Sequence, residues 1–326
     1  MKARNLSGVI VVLSVGAALA LPAHLSAQSY PVKPVRVIVP FAAGGGTDIQ
    51  ARVLFKELHE QFGQVFIVDN RPGASGLIGA ELAVNSPADG YTLLFTAAPL
   101  ATNATLYRNT MKFHPEKDLA PISLISSTPL VLIVHPSVPA RTPKELIALA
   151  RKKPGIFSAA INVPGSTSHL SAEMLKQLAG LTFTNVPFKG GGPAIIAMVG
   201  GEVDFQFAEG LLAAPQIRAA RVRALAVTTP KPSSFFPELP TMDSILPGFV
   251  SDNWFAMFFP AGTPKEIVAT VNAAIRKALG TKAVRALFER DALIAVGSTP
   301  EELAAHLKRE IARYAEVIRK GNITLQ

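Results

Sequence analysis

The sequence predicts an α/β protein of two lobes that face a cleft. Short apolar runs alternate with stretches of helical period along the whole chain. Loops rich in Gly, Ser and Thr recur between them at distant positions, which suits two lobes with a shared ligand space better than one domain. With 326 residues, 49% hydrophobic and 17% charged, the chain can bury a substantial core.

At the N-terminus, Lys2 and Arg4 precede an apolar run over 6–20, then Pro22 and a small-residue site ending at Ala27. This is the pattern of a secretory signal peptide, residues 1–27, with the mature chain starting at Gln28. A membrane anchor fits less well, because the run is short and interrupted by Ser7, Gly8 and Ser14. Cleavage would leave 30 basic against 23 acidic residues, a net charge of +7.

Strands are expected at 35–39, 65–68, 92–96, 130–135, 158–161, 203–207, 223–228 and 254–259, in largely parallel sheets. After the first of them, Asp48 is expected to cap a helix with apolar residues at Ala51, Leu54, Phe55, Leu58 and Phe62. Three further starts share one design: Thr142-Pro143-Lys144-Glu145, Thr263-Pro264-Lys265-Glu266 and Thr299-Pro300-Glu301-Glu302. Each reads as a capping box with Pro at the first helical position.

The loop "PFAAGGGTD" between the first strand and helix raises the functional question. Glycine allows close approach to the backbone, and a helix start offers unpaired N–H groups and the positive end of the macrodipole. Gly44, Gly45, Gly46, Thr47 and Asp48 thus make an anion site for a carboxylate or phosphate. Nucleotides fit poorly. A P-loop would need Lys before Ser or Thr, and the dinucleotide fingerprint G-x-G-x-x-G is missing. Gly165, Ser166, Thr167, Ser168 and His169 offer amides and hydroxyls at a second helix start. His169 is either a donor near the ligand or a helix-start residue. Phe188-Lys189-Gly190-Gly191-Gly192-Pro193 is a third such loop, or simply a turn into the next helix. Asp204, at a strand start, could accept from a ligand or brace the glycine loops. Trp254, the only tryptophan, reads as core or interlobe packing.

Other chemistries find little support. Without cysteine there is no disulfide, thiol nucleophile or thiolate metal site. The six histidines are scattered, so no metal and no cofactor are expected. The basic residues are not interleaved with aromatics, which argues against nucleic acid and for small anions. Ser166 or Ser168 with His169 as base would be a poor catalytic pair, since near-adjacent residues rarely meet in the required geometry and no G-x-S-x-G elbow is present. No catalytic residue is assigned.

The ordered series "YPVKPVRVIVPFAAGGGTD", "VDNRPGASGLIGAELAVNSPADGYTLLF", "VPFKGGGPA", "GGEVDFQFA", "RALAVTT" and "FPAGTP" closely resembles the Bug receptors, the extracytoplasmic solute-binding proteins of tripartite tricarboxylate transporters. It spans essentially the whole mature chain. The resemblance implies a type II periplasmic binding-protein fold, with crossings near Pro129-Leu130 and Asp252-Asn253. One lobe would comprise residues 28–129 and 253–326, the other 130–252. It further implies a periplasmic, monomeric protein that passes a small carboxylate to integral-membrane transporter subunits. In the family the ligand's carboxylate lies between the first glycine loop and the Ser/Thr-rich loop of the other lobe. Ligand contacts are therefore expected from Phe41, Ala43 and residues 44–48, from Ala97, Ala98 and Pro99, from residues 165–169, and from Lys189, Gly190, Gly191 and Asp204. The chain departs from the family pattern on the second lobe. Asn162-Val163-Pro164 precede Gly165, Phe188 stands where tyrosine is common, and Ala208-Glu209 where aspartate is common. These changes bear on the remaining ligand groups. Two other functions compete: an exported enzyme acting on a small carboxylate or phosphate ester, and a receptor feeding a signalling partner.

Overall fold

The computed structural model describes residues 30–320 together with Met1, Ile323 and Thr324; the expected signal peptide lies outside these residues but for Met1. One long strand, β4 (Leu119–Val134), belongs to both sheets of the protein. In the first sheet β1 (Val35–Val39) pairs in parallel with β2 (Phe66–Asn70) and β3 (Thr92–Ala97). β9 (Asp252–Pro260) then runs antiparallel between β3 and the first part of β4, and β10 (Ile294–Ala295) adds to β4. In the second sheet β5 (Ser158–Ile161) pairs in parallel with β6 (Thr184–Pro187) and β7 (Phe205–Glu209). β7 and β8 (Arg223–Val227) both lie antiparallel to Leu130–Val134 of β4. β4 thus changes partners between Pro129 and Leu130, opposite Asp252, where β9 begins.

The expectation of largely parallel sheets therefore needs correction. Each sheet is parallel in its outer strands and antiparallel where β4 and β9 join the two. The first half of β4, residues 119–129, escapes a reading by apolar runs. Pro121, Pro129 and four Ser or Thr interrupt it, and two register shifts against β9 absorb the irregularity.

The helices α1 (Gly46–Phe62), α2 (Leu77–Val84), α3 (Pro99–Leu106), α4 (Pro115–Asp118), α5 (Pro143–Lys152), α6 (Thr167–Ala179), α7 (Gly191–Val199), α8 (Gly210–Arg218), α9 (Lys265–Leu279), α10 (Lys282–Arg290) and α11 (Pro300–Lys320) cover the sheets. α1 buries Ala51, Leu54, Phe55 and Leu58, the expected face. Phe55 stacks on Phe66 and meets Phe95 edge-on. Burying each such ring is worth roughly 1.5–3 kcal/mol. Trp254 is buried in a core with Leu303 and Leu307 of α11, and its Nε1 donates to Glu310 Oε2 at 3.1 Å.

The helix starts behave unequally. At Thr299 the box closes both ways: Thr299 Oγ1 accepts from the Glu302 amide and Glu302 accepts from the Thr299 amide. Thr142 caps the Glu145 amide, but Glu145 reaches back one residue further, to the Arg141 amide. Thr263 does not cap α9. Its hydroxyl donates to the Pro260 carbonyl, and the helix begins at Lys265. Asp48 is likewise not the cap of α1 but sits in its first turn, where its carboxylate accepts from the Gly44 amide and from Arg52.

Candidate ligand-binding site

Parallel strands deliver their C-terminal ends to one place. β1 leads into α1, β3 into α3, β5 into α6, β6 into α7 and β7 directly into α8. The starts of these five helices meet in a cavity lined by Phe41, Gly45, Gly46, Thr47, Ala97 and Pro99 from one side. Asn162, Val163, Ser166, Thr167, Gly190, Gly191 and Glu209 line the other, with Asn253 of β9 between. Crevices beyond the carboxyl ends of strands are where open α/β folds hold ligands. First-turn N–H groups lack helical partners and carry the positive helix end, so their convergence favours an anion. Among the described residues lining this cavity there is no Lys, Arg or His.

The two sides touch. The Ala42 amide donates to the Lys189 carbonyl at 3.3 Å, and Thr102 Oγ1 donates to the Gly165 carbonyl at 2.5 Å. The glycines make this approach possible. A Cβ on Gly192 would lie 2.8 Å from the Gly44 carbonyl carbon, and one on Gly46 would overlap Glu209 Oε2. The space between the cavity's atoms totals about 360 Å³, but only about 20 Å³ of it admits the centre of a water molecule. The two sides thus lie in contact around a narrow cavity.

A larger groove of about 910 Å³ runs between the end of α3 and α11. None of its lining residues is buried, whereas every residue lining the cleft is. Depth and converging polar groups, rather than size, single out the cleft.

Several expected residues lie elsewhere. Ala43 and Gly44 are exposed on an outer groove beside Pro193 and Asp291. Asp48 is turned to Gly44 and Arg52, which hold its carboxyl below the usual range against the opposing effect of burial. Ala98 is buried in the core with Leu100 and Trp254, behind the wall. Lys189 is exposed and contributes its carbonyl, not its ammonium. Asp204 stands at the opposite end of β7 from the cleft. There it accepts from the Ser158 amide and hydroxyl, which removes it from the ligand space.

In the Ser/Thr loop only Ser166 and Thr167 face the cavity. Gly165 adopts a positive φ of 78° and presents its carbonyl to Thr102. Ser166 caps α6 by accepting from the His169 amide, and Ser168 points back to the Ala160 carbonyl. His169 Nδ1 accepts from the Gly165 amide at 3.0 Å, and burial lowers its pKa, so the ring is a neutral brace of the loop. That geometry fits the helix-start reading of His169. A Ser–His pair would need that nitrogen free.

Three polar residues carry more of the site than their motifs suggest: Asn162, Glu209 and Asn253. Asn162 Nδ2 and Asn253 Nδ2 both donate to Glu209 Oε1, each at 3.1 Å, while Gln206 Nε2 fixes Asn162 through its Oδ1. Burial pushes the Glu209 carboxyl up to about 7, with the two amide bonds opposing. The available signal was position. A polar residue ending a buried strand, as Asn162 follows β5 and Glu209 ends β7, projects at the strand tips where the cleft lies.

Sequence comparison agrees with this geometry. The model for the tripartite tricarboxylate transporter family receptor matches residues 50–323. The chain belongs to that family. The receptor is 36% identical to the protein BugT of Bordetella pertussis over 99% of this chain and all of the relative. Among solved structures it resembles Rhodopseudomonas palustris Rpa4515 with adipate, at 34% identity and a TM-score of 0.86, covering 90% of this chain and 99% of that one. It also resembles MatC of the same organism with bound malate, at 31% identity and a TM-score of 0.84, over 89% and 100%. The fold is that of type II periplasmic binding proteins, two α/β lobes about a cleft, and its family relatives are solute-binding receptors.

Proposed function

We propose that the receptor captures a small carboxylate in the closed cleft, in the periplasm, and delivers it to membrane subunits of a tripartite tricarboxylate transporter. The observation that carries this is the meeting of five helix starts in a buried space with no basic side chain. Such a site holds an anion by N–H groups and helix dipoles. Adipate and malate in two relatives support the ligand class. Phe41, Gly45, Gly46, Thr47, Ala97, Pro99, Ser166, Thr167, Gly190 and Gly191 form the clamp, and Asn162, Glu209 and Asn253 its floor. Nothing in the clamp activates a nucleophile, so the protein binds without turnover.

Export requires cleavage near Ala27, and one lobe comprises residues 28–129 and 253–326, the other 130–252. β4 and β9 act as the hinge between them, and a single chain completes the site. Opening and closing about that hinge exchanges the ligand. The test is calorimetric titration of mature protein, refolded from denaturant to remove carried-over ligand, with malate, adipate, succinate and inorganic phosphate. At least one carboxylate binds in a one-to-one ratio, and Thr167→Val weakens it. Binding of phosphate alone, or of no acid, overturns the reading.

A further inference from the structure

We propose that Glu209 faces the ligand as a carboxylic acid and donates its Oε2 proton to a carboxylate oxygen of the ligand. The proposal rests on carboxylate capture, as argued above, and makes Glu209 a specificity-determining donor of the cleft.

The argument is one of donors and acceptors. Glu209 is 7% exposed and forms part of the cavity wall. Oε1 receives two N–H bonds, from Asn162 and Asn253, which fill the capacity of a carbonyl oxygen. Oε2 is buried and has no hydrogen-bond partner among the described residues. It lies against Gly46, where a side chain would overlap it. An ionised carboxylate with one bare oxygen, buried beside no cation, is costly. The neutral acid satisfies the same geometry, with Oε1 as acceptor and Oε2–H as a donor beside Gly46, itself part of the cavity wall. That donor joins the first-turn amides and the hydroxyls of Thr47 and Thr167 in the wall, where the one unpartnered side-chain acceptor among the described lining residues, Glu209 aside, is Asn253 Oδ1.

A ligand carboxylate strengthens this arrangement. Two carboxylates in one desolvated space share a proton rather than both ionise. The helix starts favour negative charge in the cavity, and the bound ligand supplies it. The surrounding charged groups do not intervene. Asp48 on α1 pairs with Arg52, Asp252 on β9 with Arg313, and Asp291 after α10 with Arg290. Glu173 on α6 pairs with Lys176, His169 is neutral, and Lys189 before α7 is exposed. None of them lines the cavity.

The alternative assignment, an ionised Glu209 accepting from a ligand ammonium or hydroxyl, gives opposite results. The test titrates wild type and Glu209→Gln with malate, succinate and adipate from pH 6 to 9, with an amine-bearing acid, aspartate, as control. Glutamine keeps the Oε1 acceptor and replaces O–H by N–H. Under the proposal its affinity at pH 6 stays within about threefold of wild type and is flat with pH, whereas wild type weakens at least tenfold by pH 9. A loss above tenfold in Glu209→Gln at pH 6 with an unchanged melting temperature overturns it, as does wild-type affinity that rises with pH. Should the variant fail to fold, wild type alone answers. Titration at pH 8 in two buffers of different ionisation enthalpy must show proton uptake on binding; release, or no exchange, overturns the proposal. Failure of wild type to bind any of the acids at pH 6 overturns carboxylate capture and this proposal together. Binding by wild type that glutamine destroys overturns this proposal alone.

Discussion

The two walls of the cleft are built from different materials. The wall made by β1, β3, α1 and α3 offers Phe41, Gly45, Gly46, Thr47, Ala97 and Pro99, with no titratable group and one hydroxyl. The facing wall offers Asn162, Ser166, Thr167 and Glu209, a set of side-chain amide, hydroxyl and acid. In the proposed reading, the first wall would hold an anion largely by backbone, which suits any carboxylate. The other can tell ligands apart, because a side-chain donor left without its partner in a desolvated site costs affinity.

The comparison can be broken first at its contact line. Gly192→Val places a side chain against the Gly44 backbone and prevents closure. Affinity should fall roughly 100-fold, with only the closed fraction competent to hold ligand. Calorimetry reads the loss, and small-angle scattering should show the expanded form persisting with ligand present.

Of comparable size is the acid's effect on the unliganded protein. The folded pKa of Glu209 is raised from 4.5 to about 7, so its stabilising contribution is full below the unfolded value and is lost as pH rises through the folded one. Between pH 4.5 and 8 wild type should lose on the order of 3 kcal/mol relative to Glu209→Gln. Urea unfolding of both proteins at pH 5 and pH 8 measures the difference, and equal losses would contradict it.

Asn253→Leu removes one of the two N–H donors to Oε1. It should destabilise by about 1–3 kcal/mol and raise the acid's pKa further, visible in the same unfolding series. The smallest effect is expected of Lys189→Ala. An exposed ammonium outside the cavity is screened by salt, so affinity should stay within about twofold. A tenfold loss would mean that the basic charge, and not the helix starts, attracts the ligand.

Much of this architecture was legible in the chain. The glycine loop before α1, the Ser166 cap of α6 and the glycine turn into α7 are local signals, and each lies at the cleft. Thr299 closes its box as its spacing predicts, while Thr263 shows the limit of such a motif, since a nearer acceptor at Pro260 takes its hydroxyl. Asp204 misled because a carboxylate beside two glycines reads as a ligand group. Its place at the start of β7, rather than at the end, puts it a strand's length away.

From the sequence alone came the α/β alternation, the glycine- and serine-rich loops at the helix starts, and the family with its fold. Each of these depends on residues close together in the chain, where spacing and backbone preference act directly. Only tertiary structure decided that β4 serves both sheets, that the opposed glycines touch, and that Glu209 meets amides from Asn162 and Asn253, each more than forty positions away. Whether a buried acid is ionised depends on which donors reach its oxygens, and those donors are brought together by folding.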